Sequence, residues 1–147
     1  MNRLHNTFNR IMALALLVLA FDVSAQTTSF RARLSEVPVT PADYRDITGV
    51  GEVFATLNGN VLTVTGTFTG MSSAATIAHI HNAPKAMNGP PIHPLQVTAM
   101  PAGEVSGEIT LTPEQVQALQ DEALYIVIHS ENNPGGEIRG WLLPRQR

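Results

Sequence analysis

Histidine is concentrated in two short segments of this chain. Three of the five histidines, His79, His81 and His93, lie in the stretch AHIHNAPKAMNGPPIHP. A fourth, His129, ends the apolar run LYIVIH, and the fifth, His5, lies near the N-terminus. Because imidazole is a common ligand of transition metals, this distribution indicates a metal site. The alternative is a structural cluster of hydrogen-bonded polar side chains, since an HxH pair alone is a weak signal.

The predicted strands should bring three of these histidines onto one surface. Residues i and i+2 of a β-strand lie on the same face, so His79 and His81 project together while Ala78 and Ile80 face the core. His129 ends a second predicted strand and lies on the face opposite the aliphatic stripe of that strand. Two imidazoles from one strand and one from a neighbour would form a rigid set of nitrogen ligands.

We therefore predict one metal ion per chain, bound by His79, His81 and His129, with His93 as a fourth ligand on a proline-braced loop. The chain has no cysteine, so its metal ligands are nitrogen and oxygen. Nitrogen ligands without thiolate favour copper, which binds most tightly in the divalent series. Zinc is the weaker alternative, because three histidines and a water form a known catalytic zinc set.

The segment ENNPGGEIRGWLL follows His129 directly and carries a cation. Asn-Pro-Gly-Gly favours a turn, which returns the chain as the partner of the His129 strand. Arg139 then lies near the predicted metal and is the predicted catalytic residue, because a cation there can guide a small anion. The structural alternative is a salt bridge between Glu137 and Arg139, which are two residues apart on one face.

The first 25 residues have the pattern of a secretory signal peptide. Two arginines precede the apolar run IMALALLVLAF, and the small residues VSA end the segment. Because the run is short for a bilayer span, we expect cleavage, export to the periplasm or beyond, and no stable membrane insertion afterwards. Residues 26–147 then form one domain. A retained membrane anchor is the alternative.

The charge balance argues against a nucleic-acid partner. The chain has 9 basic and 12 acidic residues and a net charge of −3. The only lysine of the chain is Lys85, so a phosphate-binding surface is not expected. A small anion would need a local positive feature to approach this negative domain.

Period-two alternation predicts strands along most of the chain. Phe30, Ala32 and Leu34 alternate with polar residues, and the sequence Asn-Gly-Asn at 58–60 is typical of a tight hairpin. Further strands are predicted over 76–81, 95–100, 103–111, 123–130 and 136–143.

One short helix is predicted near residues 112–121. Thr112 is a suitable N-cap, Pro113 suits the first helical position, and Gln115 completes a capping box. Seven or eight short strands with a single helix predict an all-β, antiparallel β-sandwich, with a closed barrel as the alternative.

Three segments, AHIHNAP, LTPEQVQALQ and LYIVIHSENNPGGEIRGWL, closely resemble the chordin-like (CHRD) domain family. The resemblance covers residues 27–143 and implies an exported, β-rich domain. It leaves the biochemical activity open.

A second, weaker resemblance is to the copper site of copper–zinc superoxide dismutases. That family has an HxH pair on one strand, a loop histidine beside Gly-Pro, and a histidine that ends a late strand before a Gly-rich turn and an anion-guiding arginine. His79 with His81, then His93, His129 and Arg139, match this order. The resemblance implies a Greek-key β-sandwich and a copper site. The zinc subsite and the cysteine pair of that family have no counterpart here.

The functional hypothesis is an exported domain with a mononuclear copper site, at which superoxide dismutation is the candidate reaction. In such a reaction Cu(II) oxidises one superoxide to O₂, and the Cu(I) formed reduces a second with two protons to H₂O₂. The sequence leaves open whether the protein is an enzyme. The alternatives are a metal-free extracellular binding module and a periplasmic copper storage or delivery protein.

Overall fold

The computed structural model describes residues 27–145, which form nine strands and one helix. The predicted signal peptide lies outside this range. In chain order the elements are β1 (Thr28–Glu36), β2 (Val50–Asn58), β3 (Val61–Thr69), β4 (Ala75–Asn82), β5 (Pro91–Val97), β6 (Gly103–Thr110), α1 (Pro113–Gln120), β7 (Leu124–Ser130), β8 (Ile138–Trp141) and β9 (Leu143–Pro144).

The strands form one closed antiparallel sheet. The order is β2-β3-β6-β5-β4-β7-β8-β1, and β1 returns to pair with β2. The first part of β1 pairs with β2, whereas Ser35 and Glu36 at its end pair with β8. β5 likewise pairs with β4 and, through Gln96 and Val97, with β6. These two strands therefore join the two halves of the sheet.

The all-β prediction with one short helix is confirmed, but the predicted Greek-key sandwich is wrong. A sandwich keeps two separate sheets with unpaired edges, whereas here β1 and β5 each pair with strands of both halves. The pairing removes the edges and yields the closed barrel that was the alternative.

Alternate residues of the strands fill the interior of the barrel. Phe30, Leu62, Ile80, Ile126 and Ile138 are all at most 1% exposed and belong to one hydrophobic cluster. The inward stripe predicted for the first strand is confirmed, as is the hairpin whose Gly59 has a φ of 61°. Because the interior is filled by apolar side chains, polar groups of the strands must lie outside.

The helix begins as predicted. The Thr112 side chain accepts a hydrogen bond from the Gln115 amide, and the Gln115 side chain accepts one from the Thr112 amide. Leu119 is buried in the core and anchors the helix to the barrel. Within residues 27–145, no helix has the length and apolar character that a membrane crossing requires.

A buried carboxylate holds the loops at one end of the barrel. Glu137 is fully buried, and its oxygens accept hydrogen bonds from the Thr48 amide, from both the amide and hydroxyl of Ser72, and from the Ser130 hydroxyl. The alternative expectation of a salt bridge with Arg139 is wrong, since Arg139 instead donates to Asn88.

The donors around Glu137 favour its ionised form. Desolvation alone raises the pKa of this carboxyl, but the hydrogen bonds from Ser130, Ser72 and Thr48 act in the other direction and leave the pKa below its ordinary value of 4.5. The unfolded chain therefore takes up this proton at a higher pH than the folded protein. It follows that the carboxylate stabilises the fold above about pH 4.5, and that this contribution is lost as the pH falls through the lowered folded-state pKa.

We expect Glu137→Gln to lower the free energy of unfolding at pH 7 by about 1–3 kcal/mol, because the amide nitrogen replaces an acceptor among donors. The difference from wild type should shrink as the pH is lowered below about 4.5, since the wild-type carboxylate is then neutralised. Urea unfolding across this pH range measures both effects. Glu131→Gln, at an exposed position, is the matched control. A gap that stays constant with pH would contradict the assignment.

Candidate metal centre

The pairing of β4 with β7 brings three histidines together on the outer face of the barrel. In this register His79 lies opposite Val127, and His129 lies opposite Ile77. Antiparallel partners point to the same side of the sheet, so the outward residues of β4 and β7 share one surface. His79, His81 and His129 are all half-buried there.

The three imidazoles present nitrogen atoms that have no other partner. One ring nitrogen from each histidine lies within 4.8 Å of the other two. His79 Nδ1, His81 Nε2 and His129 Nε2 are buried and form no hydrogen bond within the described chain. A metal about 2 Å from each ligand needs its nitrogens at most about 4 Å apart, so separations of up to 4.8 Å must shorten slightly for all three nitrogens to bind one ion. Unsatisfied buried polar atoms are costly, so these three nitrogens are available to bind a further group.

Backbone carbonyls fix the orientation of two of the rings. His81 Nδ1 lies 2.9 Å from the Gly89 carbonyl oxygen, and His129 Nδ1 lies 2.9 Å from the Pro134 carbonyl oxygen. A carbonyl accepts only from a protonated nitrogen, so in both neutral rings Nδ1 carries the hydrogen and Nε2 keeps its lone pair. This is the arrangement typical of metal-ligating histidines.

Gly89 is required by close packing. A Cβ atom at this position would lie 1.9 Å from the Asn82 carbonyl oxygen. The amide of Gly89 also donates to the Tyr125 hydroxyl at 2.8 Å. The Tyr125 ring in turn lies against His81, with 5.1 Å between ring centroids. The loop before β5 is thus held in contact with β4 and β7, and the His81 ring is fixed on two sides.

The pKa values of two rings of the cluster, His79 and His129, are lowered. Desolvation lowers the pKa of His79 below 6.5, and the neighbouring His129 and His81 lower it further. Desolvation also lowers the pKa of His129, against the opposing effect of the hydrogen bond to Pro134. Neutral imidazole is the form that binds a metal, so both shifts favour ligation near neutral pH.

Arg139 shares a cleft with His81. The cleft has a volume of about 380 Å³ and is lined also by Asn88 and Tyr125. Arg139 pairs in register with Val127, donates to Asn88 Oδ1 at 2.6 Å, and lies over the Trp141 ring. The guanidinium is therefore held on the same face as the histidine cluster. Lys85, the only lysine of the chain, forms an ion pair with Glu122.

The structure does not bring His93 to the cluster. His93 lies on β5 rather than on a loop, pairs with the inward-facing Ile80, and has its Nε2 2.9 Å from Gln115 Oε1 at the start of α1. A loop was predicted because prolines flank His93, and this prediction was wrong. Strands tolerate proline at their first residue and beside bulges. Pro91 begins β5, and the register shifts between Ile80 and His81.

Sequence reasoning missed the groups that support the site. The carbonyls of Gly89 and Pro134 and the ring of Tyr125 orient His81 and His129, and Asn88 holds Arg139. The only signal was local, because the turn-forming segments NGPP and NNPGG each lie close to a histidine in sequence.

The domain is an all-β protein of the closed-barrel class, with a histidine cluster on the outer face of the barrel. The chain belongs to the CHRD domain family, whose model matches residues 30–142, and this confirms the resemblance inferred from sequence. No curated protein and no solved structure matches the chain.

Proposed function

We propose that the protein binds one copper ion through His79 Nδ1, His81 Nε2 and His129 Nε2. The observation that carries this proposal is the convergence of three buried nitrogens that lack any hydrogen-bond partner in the described chain. A purely structural polar cluster is a weaker explanation, since such clusters are normally satisfied internally. The carbonyl partners of His81 and His129 support it, because they leave both Nε2 atoms free to bind the ion.

Copper is proposed rather than zinc on the chemistry of the donor set. Three imidazoles without thiolate or carboxylate bind divalent copper more tightly than zinc. The ligands lie on paired strands of a barrel with its own apolar core, so the domain does not need the ion in order to fold. This favours reversible copper binding over a structural zinc site.

We expect titration of the metal-free protein with Cu(II) to saturate at one ion per chain. Changing His81 or His129 to alanine should weaken binding by at least about tenfold, because each variant removes one of three ligands. His93→Ala is the matched control and should bind as wild type does, since His93 contacts Gln115 instead.

Calorimetry and electron paramagnetic resonance of the same samples give the stoichiometry and the number of nitrogen ligands. Stoichiometric, tight copper in a His79→Ala/His81→Ala double variant would refute the ligand assignment. Tighter binding of zinc than of copper would refute the choice of metal.

We further propose that superoxide is the anion that reaches this site. Copper supplies the couple between Cu(II) and Cu(I), and the protein supplies a cation beside the ligands. Arg139 supports this role because it lines the same cleft as His81 and is oriented by Asn88 and Trp141. In a negatively charged chain, such a local cation attracts an anionic substrate over a short range.

Arg139→Glu should lower the rate of superoxide consumption and reverse its dependence on ionic strength, while copper occupancy stays unchanged. The reason is that Arg139 acts on the approach of the anion rather than on the metal. Stopped-flow measurements at several salt concentrations test this, with Arg45→Glu, which lies outside the cleft, as the charge-matched control.

Equal rates for Arg139→Glu and Arg45→Glu would remove the steering role. If the fully copper-loaded wild type has no activity, the function is copper storage or delivery rather than dismutation.

We also propose that the domain acts outside the cytoplasm, on the basis of the signal-like residues 1–25. Protein recovered from the exported fraction should begin at Gln26. An intact N-terminus on the recovered protein would contradict cleavage.

A further inference from the structure

A second depression lies beside the histidine cleft and has a different character. It is a groove of about 880 Å³, and it shares Arg139 and Pro38 with the cleft. Its walls come from β1, β8 and β9 and from the loop that carries Lys85. Its volume lies within the range of about 300–1,000 Å³ that is typical of ligand sites.

Positive charge is concentrated in this groove. Residues 27–145 contain six lysines and arginines, and five of them line it, namely Arg31, Arg33, Lys85, Arg139 and Arg145. Among the described residues that line the groove, one, Glu36, is acidic. The same range contains eleven acidic residues, and ten of them lie outside the groove, so the basic groove contrasts with an otherwise acidic domain. An anion is therefore attracted to this part of the surface.

Three of these cations form no ion pair within residues 27–145. Arg31 pairs with Glu52 and Lys85 pairs with Glu122, whereas Arg33, Arg139 and Arg145 have no carboxylate partner in the described range. Guanidinium groups present two parallel N–H donors, which match a carboxylate. These three arginines are therefore able to form ion pairs with carboxylates of a ligand.

The spacing of the cations follows a strand. Arg31 and Arg33 lie on one face of β1, so their Cα atoms are about 6.6–6.8 Å apart along the strand. Ser35, the next residue on that face, pairs in register with Arg139. At the other end of that face the Arg145 amide donates to the Ser29 carbonyl, so Arg139 and Arg145 extend the row at its two ends. Carboxylates on alternate residues of an extended peptide have the same repeat.

The remaining lining residues favour a peptide over a polysaccharide. Trp141, Leu143 and Pro144 give the groove an apolar part, and arginine with tryptophan is the composition typical of energetically important protein contacts. A sugar ring would need an aromatic face, but the Trp141 ring is already stacked on Tyr125 and covered by the Arg139 guanidinium.

We propose that this groove binds an extended acidic segment of a partner protein, in which carboxylates on alternate residues pair with Arg33, Arg139 and Arg145. This binding function shares Arg139 with the proposed copper site but does not require a metal. It adds a protein-recognition surface to the barrel next to the histidine cleft.

The test is a fluorescence-anisotropy titration of the purified, chelator-treated protein with a labelled peptide of alternating glutamate and serine. A peptide of the same composition with its glutamates clustered at one end tests the spacing. The alternating peptide should bind more tightly, and raising the salt from about 0.05 M to about 0.3 M should weaken binding because exposed charges are screened.

Arg33→Glu and Arg145→Glu should each weaken binding of the alternating peptide by about tenfold or more, because a carboxylate then faces the ligand. Arg45→Glu changes the net charge equally at a site outside the groove, and it should leave binding within about twofold of wild type. Circular dichroism checks that all three variants are folded.

Three outcomes would overturn the proposal. The first is no binding of either peptide at low salt, and the second is equal weakening by Arg45→Glu, which would indicate only a net-charge effect. The third is tighter binding of an oligogalacturonate of matched charge, which would assign the groove to an anionic polysaccharide.

Discussion

The closed interior of the barrel is the constraint that places the chemistry of this domain. Once β1 pairs with both β2 and β8, every strand has an inner face that must be apolar and an outer face that is free to be polar. On β4 and β7 the inner positions are taken by residues such as Ile80 and Ile126, which are fully buried. The histidines occupy the intervening positions. The site is therefore built on rigid, paired strands and is separate from the core that stabilises them.

Hydrogen bonding connects the stability of the barrel to the geometry of the site. Glu137 accepts from the Ser130 hydroxyl, and that same hydroxyl accepts from the Asn133 amide, so the turn after β7 is held at its start. The same turn presents the Pro134 carbonyl to His129. A buried carboxylate that forms no hydrogen bond with a histidine in residues 27–145 thus helps to set which nitrogen of His129 is available. For His81 the orienting carbonyl belongs to Gly89, whose position is fixed by close packing against Asn82.

The sequence was informative where the signal is local. Two-residue alternation correctly predicted that Ala78 and Ile80 face the core and that His79 and His81 face outward, and the capping residues correctly predicted the helix. It could not distinguish a barrel from a sandwich, because closure depends on pairings between residues far apart in the chain. It also placed His93 on a loop, since the prolines around it conceal a strand that tolerates them through a bulge. The supporting carbonyls carry no side-chain signature and become visible only in three dimensions.

The aromatic rings beside the histidines have a spectroscopic consequence. Trp141 is the one tryptophan of the chain; its ring stacks on Tyr125 at 4.7 Å, and the Tyr125 ring lies 5.1 Å from His81. All the indole emission of the protein therefore arises one ring away from a proposed ligand. A paramagnetic ion quenches fluorophores at such short range, so the protein contains its own optical reporter of occupancy. Emission that stays constant while Cu(II) binds would locate the ion elsewhere on the molecule.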